Sequence, residues 1–241
     1  MSMFEAFVTN LGLYPELGVE VGDYLRFPTT TEEVQALFSR IGIDGKHYDE
    51  YFITSYDSDV LGLYDCLDEY AGLSELNYLA HLLEEVQEQG DIEKFEAVIA
   101  FGEHNRGAAD LINLAQNLNC YDFYPGIDSE EKLGRYYVEE IGSIEIPPHI
   151  EPYFDYEAYG RDINLNTSGD FVPGGYVLSN GDRFVEHYKE REDIPEEYRI
   201  TRSPARNEKE ETRSILETIR QFKEAPSAPQ KEKAGPSREE R

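Results

Sequence analysis

His81 and Glu84 stand three residues apart, in the order H-x-x-E. On a helix that spacing could offer an imidazole and a carboxylate to one metal ion. No second such pair and no cysteine cluster accompanies them, so the ligand set stays incomplete. Asp57, Asp59 and Gly62 echo positions one, three and six of a calcium loop. Position five, however, falls on Leu61 and position twelve on Asp68, where the loop needs an oxygen ligand and a bidentate Glu. Asn180-Gly181-Asp182 reads as a turn, and neither a Walker motif nor a dinucleotide fingerprint is present. Cys66 and Cys120 lack a His or Cys partner at metal or redox spacing and read as small core residues. With 50 Asp and Glu in the chain, some pair will always resemble a general acid and base. The residue types therefore point away from catalysis and imply no metal and no other cofactor.

The elements that would position these groups centre on Tyr64 to Asp110. Leu73, Leu76, Leu79, Leu83 and Val86 recur at three- and four-residue steps, which predicts a helix with one buried stripe. Ser74 is placed to cap its start and Gly90 to end it. Its opposite face carries Glu75, Glu84, Glu85 and Glu88. Asp91 can cap a second helix, with Ile92, Phe95, Val98 and Ile99 inward and Glu93 and Glu96 outward. Helices commonly lace Glu with Lys for a few tenths of a kcal/mol per pair. Here Lys94 is nearly alone among acids, and the self-repulsion is left standing.

The charge imbalance extends to the whole chain. Its 241 residues carry 50 acidic against 22 basic side chains, a formal net charge of -28. Thr201 to Arg241 holds 10 basic and 8 acidic residues, which leaves 12 and 42 for Met1 to Ile200, a net of -30. Such a body repels nucleic acid and anionic membranes, since both are polyanions. Its attractive partners are polycations, above all a basic protein groove. The acids sit among 18 Tyr, 12 Phe and periodic aliphatics, the texture of a folded body rather than an acidic disordered tract. Two cysteines, no long apolar run and no signal-peptide pattern make the cytoplasm the expected compartment.

Taken in order, Phe4 to Thr9 and Val19 to Phe27 read as strands. Thr30 with Glu33 forms a capping box for a helix burying Val34, Leu37, Phe38 and Ile41 and ending at Gly42. Tyr51 to Tyr56 is a third strand. Beyond Asn105, Leu111, Leu114 and Leu118 mark a helix leading to Cys120. Asp128 with Glu131 suggests another capping box, with Leu133, Tyr136, Tyr137 and Ile141 available for packing. His149 to Gly160 reads as helical, its prolines tolerated in the first turn. Two strand-like runs flank Asn180-Gly181 between Tyr176 and His187, the signal of a hairpin. An amphipathic helix over 208–223 and a disordered end close the chain.

VTNLGLYP from Val8, VGDYLRFP from Val21, SELNYLAHLL from Ser74, LGRYYVEE from Leu133 and FDYEAYGRDI from Phe154 resemble, in order and spacing, the ArdA antirestriction proteins. The likeness spans roughly Phe4 to His187, and FDYEAYGRD is its most specific segment. The resemblance implies an α+β chain of three small domains, elongated and bent, dimerising through the last. Mapped here, these are 1–61 (small sheet plus helix), 62–104 (central acidic helices) and 105–187 (C-terminal α+β domain), with 188–241 an extension. It also implies a non-enzymatic protein of mobile genetic elements that mimics B-form DNA. Such a protein occupies the DNA groove formed by the specificity and modification subunits of type I restriction-modification enzymes.

On that reading the phosphate-mimicking carboxylates come from the central helices and from acids flanking them. The flanking group is Asp57, Asp59, Asp68 and Glu69 on one side, and Glu103, Asp110, Asp122, Asp128, Glu130 and Glu131 on the other. Tyr136, Tyr137, Tyr153, Phe154, Tyr156 and Tyr159 are expected in core or dimer packing, and Arg161 is placed to clamp a carboxylate. The alternative from another class is an acidic adaptor or chaperone for basic nucleic-acid-binding proteins generally.

Overall fold

The computed structural model describes residues 2–13 and 20–201. The helix expected over 208–223 and the end expected to be disordered lie outside the described residues. The described fold is α+β: seven α-helices and two three-stranded antiparallel sheets.

The first sheet has β1 (Phe4–Asn10) between β2 (Gly22–Phe27) and β3 (Tyr51–Ser58). Phe4 faces Phe27 on one side and Ser58 on the other. Phe4, Ala6 and Val8 alternate into the core, the period-two burial expected of a one-sided sheet. Helix α1 (Thr31–Ile41) closes over β2. Its start is the expected box: Thr30 accepts from the Glu33 N–H, and the Glu33 carboxylate accepts from the Thr30 N–H. Gly42, at φ 78°, ends it in the left-handed conformation that a side chain would oppose.

The short α2 (Leu63–Cys66) leads into α3 (Leu73–Gln89), α4 (Ile92–Phe101) and α5 (Gly107–Ala115). The leucine stripe of α3 is buried along its length. Its N-cap, however, is Gly72 and not Ser74. Glu75 supplies the reaching-back bond, its carboxylate accepting from the Gly72 N–H at 3.2 Å. Ser74 lies inside the helix, buried, with its hydroxyl 3.1 Å from that of Thr201. Asp91 stands at the N-cap of α4 as expected, yet its side chain makes no capping bond.

The second sheet runs β4 (Tyr121–Pro125), β6 (Gly175–Ser179), β5 (Gly169–Val172) in space. The hairpin expected around Asn180-Gly181 forms one turn earlier: β5 and β6 join through Pro173 and Gly174. Asn180 instead leaves the sheet and donates to the Asn119 carbonyl at 2.8 Å. Helix α6 (Glu130–Glu139) is capped by Ser129 rather than Asp128, because the Ser129 hydroxyl accepts from the Lys132 N–H and Asp128 pairs with the Lys132 ammonium. Ile141, expected to pack, is exposed. Helix α7 (Tyr156–Asn166) starts later than expected, at an Asp155 cap that accepts from the Ala158 N–H, and continues past Gly160. The preceding residues form only a short 3-10 turn, Glu151–Tyr153.

Two apolar clusters hold the described chain. The larger joins the first sheet to α1, α3, α4, α5 and β4, and reaches Tyr188, Ile194 and Ile200. The smaller gathers Ile127, Leu133 and Tyr176 under α6 and the second sheet. Residues 184–201, mostly irregular, form a strap whose backbone is gripped by asparagines of α3, α5 and the turn after α5. Asn113 accepts from the Tyr188 N–H at 2.9 Å and donates to the Tyr188 carbonyl at 2.7 Å. Asn117 treats Val185 the same way, at 2.9 and 2.8 Å. Asn77 donates to the Tyr198 carbonyl and accepts from the Thr29 N–H, tying strap and first sheet to one helix.

Asn113→Ala strips both backbone groups of Tyr188 of their partners in a buried setting. The expected cost is about 2–3 kcal/mol of stability, with early proteolysis within 184–201. Thermal melting with limited proteolysis measures it; an unchanged melting point would mean that the strap is held by its apolar side chains alone.

Candidate partner-binding surface

From His47 to Glu93 the chain contains 13 Asp and Glu and no Lys or Arg. The elements over this span are β3, α2 and α3, with the start of α4. Their apolar faces turn inward for the ordinary reason of burial, so the acids are left on the outside.

Packing then sorts the carboxylates into three kinds. Asp57, Asp59, Asp68, Glu69, Glu85, Glu88 and Glu93 are exposed, Asp68 while also accepting from the Tyr70 N–H at 3.0 Å, and Asp91 is half-buried. No described Lys or Arg forms an ion pair with any of these eight.

A second group is spent on the fold. Glu75 accepts from the Tyr188 hydroxyl as well as the Gly72 N–H. Glu96 accepts from the Leu61 N–H at 3.0 Å, and Asp110 from the Arg106 N–H at 3.0 Å. Glu103, though exposed, accepts from the Tyr121 hydroxyl at 3.0 Å. Asp122 lies 3.5 Å from the Asn180 amide. Burial and these neighbouring carboxylates push the Tyr121 and Tyr188 phenols well above their usual range, so both donate as neutral groups.

The third group is neutralised by cations. Asp128 pairs with Lys132, which holds its carboxyl below the usual carboxylate range. Glu131 pairs with Arg135, and Glu130 with Arg161. All three lie at or just before α6. Of the carboxylates expected on the binding face, those from Asp57 to Glu93 are therefore mostly exposed and outside Lys or Arg pairs, those from Glu96 to Asp122 are held by neutral donors, and those from Asp128 to Glu131 are paired with cations.

His81 and Glu84 do approach, at 3.5 Å. The His81 ring also lies against the Tyr198 ring, 4.5 Å between centroids, as part of the strap contact. Among the described residues no group of three or more His, Cys, Asp or Glu is placed to hold a metal ion. Burial raises both the Cys66 and the Cys120 thiol above the usual thiol range, the opposite of an activated nucleophile. No helix among the described residues is long and apolar enough to cross a membrane.

The aromatic segment around α7 divides as well. Tyr156 is buried, and the Arg135 guanidinium stacks over its ring at 4.3 Å. Phe154 meets Tyr156 and Tyr159 edge to face, and the Tyr159 hydroxyl is 2.9 Å from that of Ser143. Tyr136 and Tyr137 are half-buried against the smaller cluster. Tyr153 is 84% exposed. Arg161 bridges Glu130 and Glu157.

The strap and its asparagines were not singled out from sequence. The signal was there in Asn113 and Asn117, four residues apart on an apolar helix face where a polar pair needs a partner.

Carboxylates crowded without cations repel one another, and salt screens exposed charges over about 8 Å at physiological ionic strength. Raising NaCl from roughly 0.02 to 0.5 M should therefore raise the melting temperature by about 3 °C. Calorimetry at the two concentrations checks this, and a lower melting point in high salt would contradict it.

The family model described as Antirestriction protein (ArdA) matches residues 6–178, well over half of the chain. No curated protein matches it. The matched span contains the seven described helices, nearly all of both sheets and the carboxylates from Asp57 to Glu131, and it ends before the strap.

Proposed function

The chain belongs to the ArdA family of antirestriction proteins, and from that premise we propose that it protects incoming DNA by imitating it. The observation that carries the reading is the set Asp57, Asp59, Asp68, Glu69, Glu85, Glu88, Asp91 and Glu93, which form no ion pair with a described Lys or Arg and are displayed on β3, on α3 and α4, and on the turns between these elements. Duplex DNA presents one negative charge per about 1.7 Å of axis, and proteins that bind it owe much of their affinity to neutralising that charge. Carboxylates already fixed in place offer a comparable field without the deformation energy of order 1–6 kcal/mol that bent DNA costs.

The partner is the DNA groove formed by the specificity and modification subunits of a type I restriction-modification enzyme. The protein acts in the cytoplasm as a stoichiometric inhibitor, not an enzyme, and contacts neither nucleic acid nor membrane. Three successive parts, 1–61, 62–104 and 105–187, would carry the array. Ile141, Ile150, Tyr153 and Leu165, all exposed in or around α6 and α7, support self-association through the last part into a homodimer. Changing Tyr153 and Leu165 together to Ser should convert the dimer to monomer in sedimentation at micromolar concentration. An unaltered dimer would place the interface elsewhere.

A mimic without base edges cannot distinguish target sequences. Expressed in cells carrying type I systems of different sequence specificity, the protein should restore transfer of unmodified plasmid in each of them to a similar degree. Protection confined to one target sequence would overturn the mimicry.

A further inference from the structure

We propose that Leu61, Tyr64 and Tyr70 form an anchor patch that takes up arginine side chains of the partner, a reading that rests on the proposed function. All three side chains are well exposed, at 69%, 57% and 59%. Isolated exposed apolar residues are ordinary, but these fall within ten residues of one another on a segment whose other apolar residues turn inward. Val60, Leu63 and Ala71 are buried, so the segment is anchored and its exposed side chains are held out by it.

Hydrogen bonds fix its backbone as well. The Leu61 N–H donates to Glu96, the Ile53 N–H to the Glu69 carbonyl at 2.7 Å, and the Tyr56 hydroxyl to the Asp68 carbonyl at 2.7 Å. The same segment carries exposed Asp59, Asp65, Asp68 and Glu69, and no Lys or Arg.

Exposed rings and exposed carboxylates on one short segment suit one side chain above others. A guanidinium is planar, so it can stack on a ring face and still donate edge-on to a carboxylate, which an ammonium cannot match. The protein uses this combination internally: Arg135 lies over Tyr156 while pairing with Glu131 and Glu139. Between Asp59 and Tyr70 the rings and the acids recur on an exposed surface, and among the described residues no arginine stacks there. Charge complementarity then selects an arginine-bearing protein surface as the occupant.

The test compares an oligoarginine and an oligolysine peptide of equal length and charge, titrated into the full-length protein and followed by NMR of labelled tyrosine. The wild-type protein should favour the arginine peptide by about tenfold, with the shifts centred on Tyr64 and Tyr70. That preference should vanish in the double variant Tyr64→Ala/Tyr70→Ala and persist in Tyr64→Phe/Tyr70→Phe, which keeps both rings. Equal affinity of the wild type for the two peptides, or an undiminished preference in the alanine variant, would overturn the proposal. Loss of the preference in the phenylalanine variant would also overturn it, by moving recognition to the hydroxyls. Because the probe is a peptide, these outcomes are independent of whether a type I enzyme is the partner.

Discussion

Gly160→Ala should cost this protein about 3 kcal/mol or more, at or beyond the upper end of what overpacking usually costs, and lower its melting point by about 10 °C. A Cβ at Gly160 would stand 1.8 Å from the Glu130 carbonyl oxygen, and one at Gly134 would stand 2.0 Å from that of Tyr156. Both obstacles are backbone atoms, which cannot rotate aside, so α6 and α7 would have to separate. That would loosen the Arg161–Glu130 pair and the Arg135–Tyr156 stack at the same time. Gly90→Ala is the control. Gly90 has φ 83° and open space around it, so its substitution tests left-handed backbone strain alone, about 1 kcal/mol. Chemical denaturation of the two variants decides the matter: equal losses would mean that the helices do not touch at the glycines.

Reversing Glu85, Glu88, Asp91 and Glu93 together to Lys should weaken inhibition of a type I enzyme on the order of a thousandfold. An exposed charge contact contributes roughly 0.5–1 kcal/mol, and reversal replaces each attraction with a repulsion. Any one of these changes alone should weaken it by less than about tenfold. None of the four has a cationic partner among the described residues, and none makes a capping or ion-pair contact that the fold would lose. Lysines at the N-cap and first turn of α4 oppose the helix dipole by about 0.3–1 kcal/mol each, a cost that the relieved self-repulsion offsets, so the variant should remain folded, as its melting curve would show. Reversal of Asp128, Glu130 and Glu131 is the informative contrast, since it would break three ion pairs around α6 and cost stability first. If a single alanine at Glu85 or Glu88 abolished inhibition with folding intact, a distributed-charge mechanism would be excluded.

Much of this was legible in the sequence where local chemistry decides the outcome. The Thr30–Glu33 box, the stop at Gly42 and the leucine stripe of α3 depend on neighbours within one or two turns. Ends were harder to place where two capping residues compete. Ser129 serves α6 because Lys132 draws Asp128 away, and Ser74 is pulled inside α3 by Thr201, 127 positions along the chain. The hairpin shifted because Pro173-Gly174 turns the chain before Asn180-Gly181 is reached.

The candidate surface was legible as a quantity of charge but not as a pattern. Glu75, Glu96 and Asp110 look like Glu85 and Glu88 in sequence. Glu75 and Asp110 reach back to N–H groups at the starts of their own helices and Glu96 reaches Leu61, 35 positions away, while Glu85 and Glu88 face outward. The motifs that signalled the family have a physical basis in part: LGRYYVEE and FDYEAYGRD contribute the two glycines through which α6 and α7 meet, with Arg135 and Arg161 locking the crossing.

The central claim is tested most directly by displacement of labelled duplex DNA from a purified type I methyltransferase core, titrated with this protein at several salt concentrations. The account predicts stoichiometric displacement by the folded protein at low salt, weaker binding of both competitors as salt rises, and no binding to an unrelated basic protein that lacks a DNA groove. If the folded protein leaves the DNA in place at low salt, or binds the unrelated basic protein equally well, it is not a mimic of DNA.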